Sequence, residues 1–178
     1  MDSAMWVFGY GSLIWSPGFP FAERHIAQLD GWQRSFCMRS IHHRGTPDAM
    51  GLVLGLDQVA GSACAGVAFR VEPGLEATTL QYLRERELIS SAYLEHWLPV
   101  SLSTGRIETA LAYVVDPHHT QYCGRLPPEV QARIIARAKG DRGTNRDYLV
   151  STAHHLTELG IADPDLNWLV ARVAELTP

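Results

Sequence analysis

The chain has 178 residues, of which 46% are hydrophobic and 19% charged, with a formal net charge of -4. That length suits one compact domain, 1–178, with enough apolar material for a sizeable core and no composition typical of disorder. The acidic balance gives no general attraction to phosphate backbones, so nucleic acid is not an expected partner.

Short β-type runs dominate the first two thirds. Met5–Tyr10 is apolar and aromatic and breaks at Gly11. Its leader, MDSAMWVFGYG, has no basic region and is broken by Gly9 and Gly11, so it does not read as a secretory signal. Trp32–Met38 follows, then Gly51–Asp57 and Ala63–Val71, with turns expected around Gly45–Asp48 and Ala60–Ser62. His96–Ser103 and Glu108–Asp116 form a strand pair joined at Thr104–Gly105. Helical patterns cover Leu75–Ile89, Pro127–Lys139, Asn145–Leu159 and Asp165–Glu175, the second and third stopping at Gly140 and Gly160. Strands followed by helices predict an α+β fold, with a mainly antiparallel sheet that can close into a barrel, one central helix and a helical C-terminal third. No stretch approaches the roughly 20 apolar residues of a membrane span, so no membrane partner is expected. The basic residues Arg133, Arg137, Lys139, Arg142 and Arg146 are better read as a solvated helix end and loop than as a binding patch.

The most informative stretch is Val7-Phe8-Gly9-Tyr10-Gly11-Ser12-Leu13-Ile14-Trp15. Glycines allow positive φ and close backbone approach, and such loops aim successive N–H groups at one anion. A dinucleotide loop needs glycine where Ile14 stands, a P-loop needs Gly-Lys-Ser/Thr, and a nucleophile elbow needs G-x-S-x-G around Ser12; none is present. A carboxylate or developing oxyanion fits best, against the alternative of a tight turn with no ligand.

Within Leu75–Ile89, a helix at about 100° per residue groups Ala77, Leu80, Leu83 and Leu88 into one apolar stripe. Glu87 falls inside it and Glu85 well outside. A carboxyl facing a core has a raised pKa and suits general acid–base work near neutral pH. The alternative is an ion pair with Arg84, three residues earlier.

Eight histidines include the adjacent pairs His42-His43, His118-His119 and His154-His155. Neighbouring residues share no helix or strand face, and no H-E-x-x-H or C-x-x-C spacing occurs, so no metal site is expected. Three cysteines do not make a disulfide framework; a reduced, cytoplasmic protein is expected, with Cys37 and Cys64 as small buried apolar residues. Arg44 suits a substrate carboxylate or a turn equally well, and Tyr148 in the late helix suits packing with its hydroxyl satisfied.

Together these residues resemble the glutathione-specific γ-glutamylcyclotransferases, the ChaC-like proteins, from Trp6 to about Val173. The resemblance is carried by WVFGYGSLIW at Trp6–Trp15, Arg34-Ser35-Phe36, Arg44-Gly45-Thr46, Gly51–Leu54, Gly66–Arg70, Arg86-Glu87 with Tyr93, and Gly143-Thr144-Asn145-Arg146-Asp147-Tyr148-Leu149. RELISSAYLEHW is similar to the bacterial branch, and some relatives carry glycines at Ser90, Ser91 and Ala92. The family implies a mixed barrel-like sheet. It implies cleavage of glutathione to 5-oxoproline and cysteinylglycine without metal or cofactor. Position by position, it places substrate binding on Tyr10, Gly11, Ser12, Leu13 and Tyr148 and acid–base catalysis on Glu87. Arg44, from its guanidinium chemistry alone, is a candidate for the glycyl end of the substrate. The rival readings are a cyclotransferase for γ-glutamyl-amino acids or γ-glutamylamines, a non-catalytic γ-glutamyl-binding module, and a metallo-hydrolase.

Overall fold

The computed structural model describes residues 3–89 and 91–178. They gather into two compact units: residues up to Arg34 with Leu56–His119, and Ser35–Gly55 with Thr120–Pro178.

The first unit is built on a barrel. The barrel strands are β1 (Trp6–Gly9), β2 (Phe21–Ser40), β3 (Gly51–Val71), β4 (Tyr93–Leu102) and β5 (Ile107–Val115), closed in the order β1-β3-β2-β4-β5, with the end of β2 from Ser35 and the start of β3 up to Gly55 counted in the second unit. The short β1 lies between two partners. It runs antiparallel to β3, with Trp6 opposite Arg70, and parallel to β5, with Val7 opposite Leu111. β4 and β5 form the expected hairpin, from Tyr93↔Val115 to Ser101↔Ile107. Trp6 and Phe8, two residues apart, point to one face of β1 and join Ala110, Ala112 and Val114 of β5 in the core. Leu111 and Tyr113, on the opposite face of β5, are buried too, so β5 is covered on both sides and reads as an unbroken apolar run. Helix α2 (Glu76–Glu87) buries Thr79 and Leu83.

Two strands are longer than the sequence suggests. Gly51–Asp57 and Ala63–Val71 are one strand, and no turn separates them at Ala60–Ser62. Gly61 takes φ +82 inside the strand, a conformation that bends a strand without ending its pairing. Likewise Trp32–Met38 is only the buried end of β2, whose first residues are largely polar and exposed.

The second unit carries α3 (Pro128–Arg137), the two-residue strands β6 (Lys139–Gly140) and β7 (Gly143–Thr144), α4 (Asn145–Glu158) and α5 (Pro164–Leu176). Side-chain caps fix two of these helix starts: Thr144 accepts from Asp147 N at 3.1 Å, and Asp163 from Leu166 N at 3.0 Å. Arg172 of α5 grips Glu129 of α3 with two bonds of 2.9 and 2.8 Å. Asn145 is fully buried; it donates to Leu52 O and accepts from Leu52 N, both at 2.8 Å. Cys37 and Cys64 are buried, as expected. No helix among the described residues is long and apolar enough to cross a membrane.

Candidate active site

The glycine loop follows β1 directly and enters a single helical turn, α1 (Ser12–Trp15), which the sequence patterns did not reveal. Ile14 N donates to Gly11 O at 2.9 Å and Ser16 N to Ser12 O at 2.8 Å. First-turn N–H groups have no acceptor within their own helix, which leaves those of Ser12 and Leu13 for other partners. Leu13 and Ile14 are buried and anchor the turn, while Ser12 is exposed. The expectation of positive φ is not met at Gly9 or Gly11; the chain turns at Gly11 with φ -140 and ψ -124. Gly9 is needed for closeness, since a Cβ there would lie 3.1 Å from Leu13 Cβ. Beside Gly11 a Cβ would meet nothing within 4 Å, so that side of the loop is open.

Two arginines hold this loop. Arg34, buried, donates from Nε to Tyr10 O at 2.8 Å and from Nη2 to Ala65 O. Arg86 of α2 donates from Nη2 to Ser12 Oγ at 3.1 Å and from Nη1 to Ser16 O at 2.6 Å. The same guanidinium places Nε 3.2 Å from Glu87 Oε1. One side chain thus links the loop to the helix glutamate.

The buried stripe is centred about 80° away from Leu80, the direction that the apolar pattern gives. Ala77 is exposed and Thr79 buried, so the buried stripe runs through Thr79 and Leu83. Glu87, one turn after Leu83, stays on the edge of that stripe with its side chain 18% exposed. Glu85 faces solvent. Burial pushes the Glu87 carboxyl above the usual carboxylate range, and the positive charge of Arg86 pulls it partly back. Arg84 does not neutralise Glu87. It is held by Glu95 of β4 through bonds of 2.9 and 2.8 Å, and Glu95 also accepts from Tyr113 Oη at 3.2 Å. Glu95 and Tyr113 are direct cross-strand partners in β4 and β5. The hydrogen bond from Arg84 drives the Glu95 carboxyl down, while burial first, then the charges of Glu95 and Glu87, drive the Tyr113 phenol up.

Arg44 and Tyr148 belong to the second unit. Arg44 donates to Thr144 O at 3.2 Å, and its Cζ lies 5.5 Å from the Tyr148 ring centroid. Tyr148 Oη accepts from Leu54 N at 3.1 Å, and its ring meets Phe36 edge-on at 6.0 Å. Of the residues singled out from sequence, Tyr10–Leu13 and Glu87 therefore fall in one unit, and Arg44 and Tyr148 lie together in the other. The loop contacts of Arg34 and the pairing of Arg84 with Glu95 and Tyr113 leave no signal in the sequence, from which Arg84 is expected beside Glu87. In the loop after α2, Ser90 lies outside the described residues, and Ser91 takes φ +59, a conformation that favours glycine.

The family model described as ChaC-like protein matches residues 5–176. The chain belongs to the ChaC-like family. Within it, this chain is similar to the glutathione-specific gamma-glutamylcyclotransferase of Escherichia coli K12, 38% identical over 175 residues covering 98% of this chain and 75% of that one. It is also similar to gamma-glutamylcyclotransferase 2-3 of Arabidopsis thaliana, 35% identical over 97% of this chain and 90% of that one. Among solved structures, a selenomethionine-labelled gamma-glutamyl cyclotransferase specific to glutathione, from yeast, superposes with a TM-score of 0.87 at 24% identity, over 99% of this chain and 98% of that one. That likeness establishes the ChaC-like fold, α+β with a closed, mixed barrel.

Proposed function

We propose that this ChaC-like chain is a lyase that cleaves glutathione to 5-oxoproline and cysteinylglycine, working as one functional domain in a cytoplasmic setting. The observation that carries the reading is Glu87, held by burial above the ordinary carboxylate range and tied through Arg86 to the open glycine loop. The curated relatives that bear this activity in their names lend it further support.

The reaction is an intramolecular amide exchange. The α-amine of the γ-glutamyl residue attacks its own side-chain carbonyl, the bond to the cysteinyl nitrogen breaks, and a five-membered lactam closes. Nucleophile and electrophile share one molecule, so correct folding of the substrate supplies much of the acceleration, about 7–11 kcal/mol in well-oriented cases.

The amine arrives as an ammonium. The Glu87 carboxylate takes its proton, and a raised pKa narrows the gap between that acid and this base. The same carboxyl then gives that proton to the departing cysteinyl nitrogen, and the second proton, shed by the ring nitrogen as the lactam forms, ends on the released amine as its ammonium, so no water is consumed and no proton is left over. Negative charge grows on the carbonyl oxygen as the ring closes, and main-chain N–H groups of Gly11, Ser12 and Leu13 are suited to hold it or the substrate α-carboxylate. Ser12 binds through its hydroxyl rather than attacking. Tyr10 borders the same loop. The substrate-binding role of Tyr148 rests on its match to the family motif, and that of Arg44 on the fit of a guanidinium to a carboxylate.

The test is release of 5-oxoproline from glutathione and, in parallel, from γ-glutamylalanine. Glutathione is expected to be the faster substrate. Preference for γ-glutamylalanine would move the chain to the broader cyclotransferase class, and no product from either would leave only a binding module.

A further inference from the structure

Arg86 makes more directed contacts than an ion pair with its neighbour needs. Nη1 donates to Ser16 O at 2.6 Å, Tyr82 Oη at 3.1 Å and Pro17 O at 3.3 Å. Nη2 donates to Ser12 Oγ at 3.1 Å, and Nε faces Glu87 Oε1 at 3.2 Å. All three guanidinium nitrogens are engaged, on acceptors at both ends of α1 and on the carboxylate. We propose that Arg86 is a positioning residue that sets Glu87 and the Ser12 hydroxyl in register for the reaction. This rests on the acid–base role proposed for Glu87.

Three physical arguments support it. A planar guanidinium presents its donors in a fixed fork, so the five contacts constrain one another; a lysine ammonium with three rotatable donors reproduces the charge but not the frame. Ser12 Oγ accepts from Arg86, which occupies a lone pair and leaves the hydroxyl proton to donate towards an anionic substrate. Gly18 constrains the same frame. It takes φ +76, and a Cβ there would stand only 2.0 Å from Tyr82 Oη. The chain leaving α1 is therefore pressed against the phenol that Arg86 also holds, and glycine at this position lets the frame close.

Arg86 also supplies the positive charge beside Glu87. Removing it leaves burial to act on the carboxyl alone, which moves the proton-accepting form to higher pH.

The experiment is the pH dependence of kcat/KM for glutathione in wild type, Arg86→Lys, Arg86→Gln and Gly18→Ala, with thermal melting of each to confirm folding. Arg86→Gln should move the acid limb to higher pH as well as lowering kcat/KM. Arg86→Lys should leave the limb in place while kcat/KM falls, by about 10²-fold if the reacting groups shift by about 1 Å. Gly18→Ala touches neither Arg86 nor Glu87 and should lower kcat/KM with no movement of the limb. A folded Arg86→Gln whose limb stays at the wild-type pH, or an Arg86→Lys with wild-type kcat/KM, overturns the proposal. If Arg86→Gln does not fold, Arg86→Lys and Gly18→Ala decide it, and wild-type kcat/KM in either sinks it. An inactive wild type would bring down the proposed function, and this inference with it; a normal wild type with unmoved variants removes this inference alone.

Discussion

Replacing Asn145 by alanine is expected to weaken the protein by about 2–6 kcal/mol. The amide of Asn145 stands in for a neighbouring strand, exchanging a donor and an acceptor with the backbone of Leu52 at 2.8 Å each. Asn145 and Leu52 are both fully buried, so neither the Leu52 N–H nor its carbonyl can turn to water when the amide is removed. A buried group left without its partner costs about 1–3 kcal/mol, and two are stranded here. For a chain of this size, 1 kcal/mol moves the melting temperature by about 2–4 °C, which makes a drop of about 4 °C the least expected. Asn145→Asp keeps the acceptor but turns a carboxylate towards the Leu52 carbonyl, so it should be destabilised as well. Urea unfolding followed by tryptophan fluorescence measures both variants, with five tryptophans as reporters. An Asn145→Ala protein within about 0.5 kcal/mol of wild type, the range of an ordinary surface change, would mean that the Leu52 backbone groups do not depend on this amide.

Glu87→Gln should stabilise the folded protein at pH 8. The folded-state pKa of Glu87 is raised, so its favourable contribution is complete below the unfolded value of about 4.3 and is lost as the pH rises through the folded one. The gain from Gln should accordingly vanish near pH 4 in melting curves; a gain independent of pH contradicts the burial argument. Arg84→Met should cost stability at neutral pH and cost less as acid titrates Glu95, whose pKa Arg84 lowers; equal losses at pH 7 and pH 2 would show that the pair contributes nothing through charge. Ser12→Ala should retain part of the turnover, since the hydroxyl binds and does not attack. Complete loss together with a trapped acyl-enzyme would instead make Ser12 a nucleophile.

The elements most legible in the sequence were those with explicit punctuation. Proline at the start of α3, glycine after α4 and Asp163-Pro164 before α5 mark helix ends through local backbone chemistry, and these boundaries fall within two residues of the observed ones. The long strands were not legible. The middle of β3 is largely exposed and carries no apolar alternation, yet the strand runs on through it. The partly buried placement of Glu87 survives an error of phase. Centring the stripe on Leu80 assumed that apolar residues alone choose the buried face, whereas Thr79 is buried and Arg84 reaches Glu95 on β4. Glu87 keeps its place because it is one turn from Leu83, which lies in either stripe. Arg34 and Arg86 gave no comparable signal. Their partners lie 24 and 70 residues away in the chain, and only the closed barrel and α2 bring them together.

Whether Glu87 carries the proton is read by assaying 5-oxoproline from glutathione with wild type and Glu87→Gln side by side. Wild type should release product. The Gln variant, folded and equal in size, should turn over about 10²–10⁴-fold more slowly, the usual share of a general acid–base group. A folded Gln variant with wild-type turnover would mean that the proton is carried by another group, and the account of this site would fail.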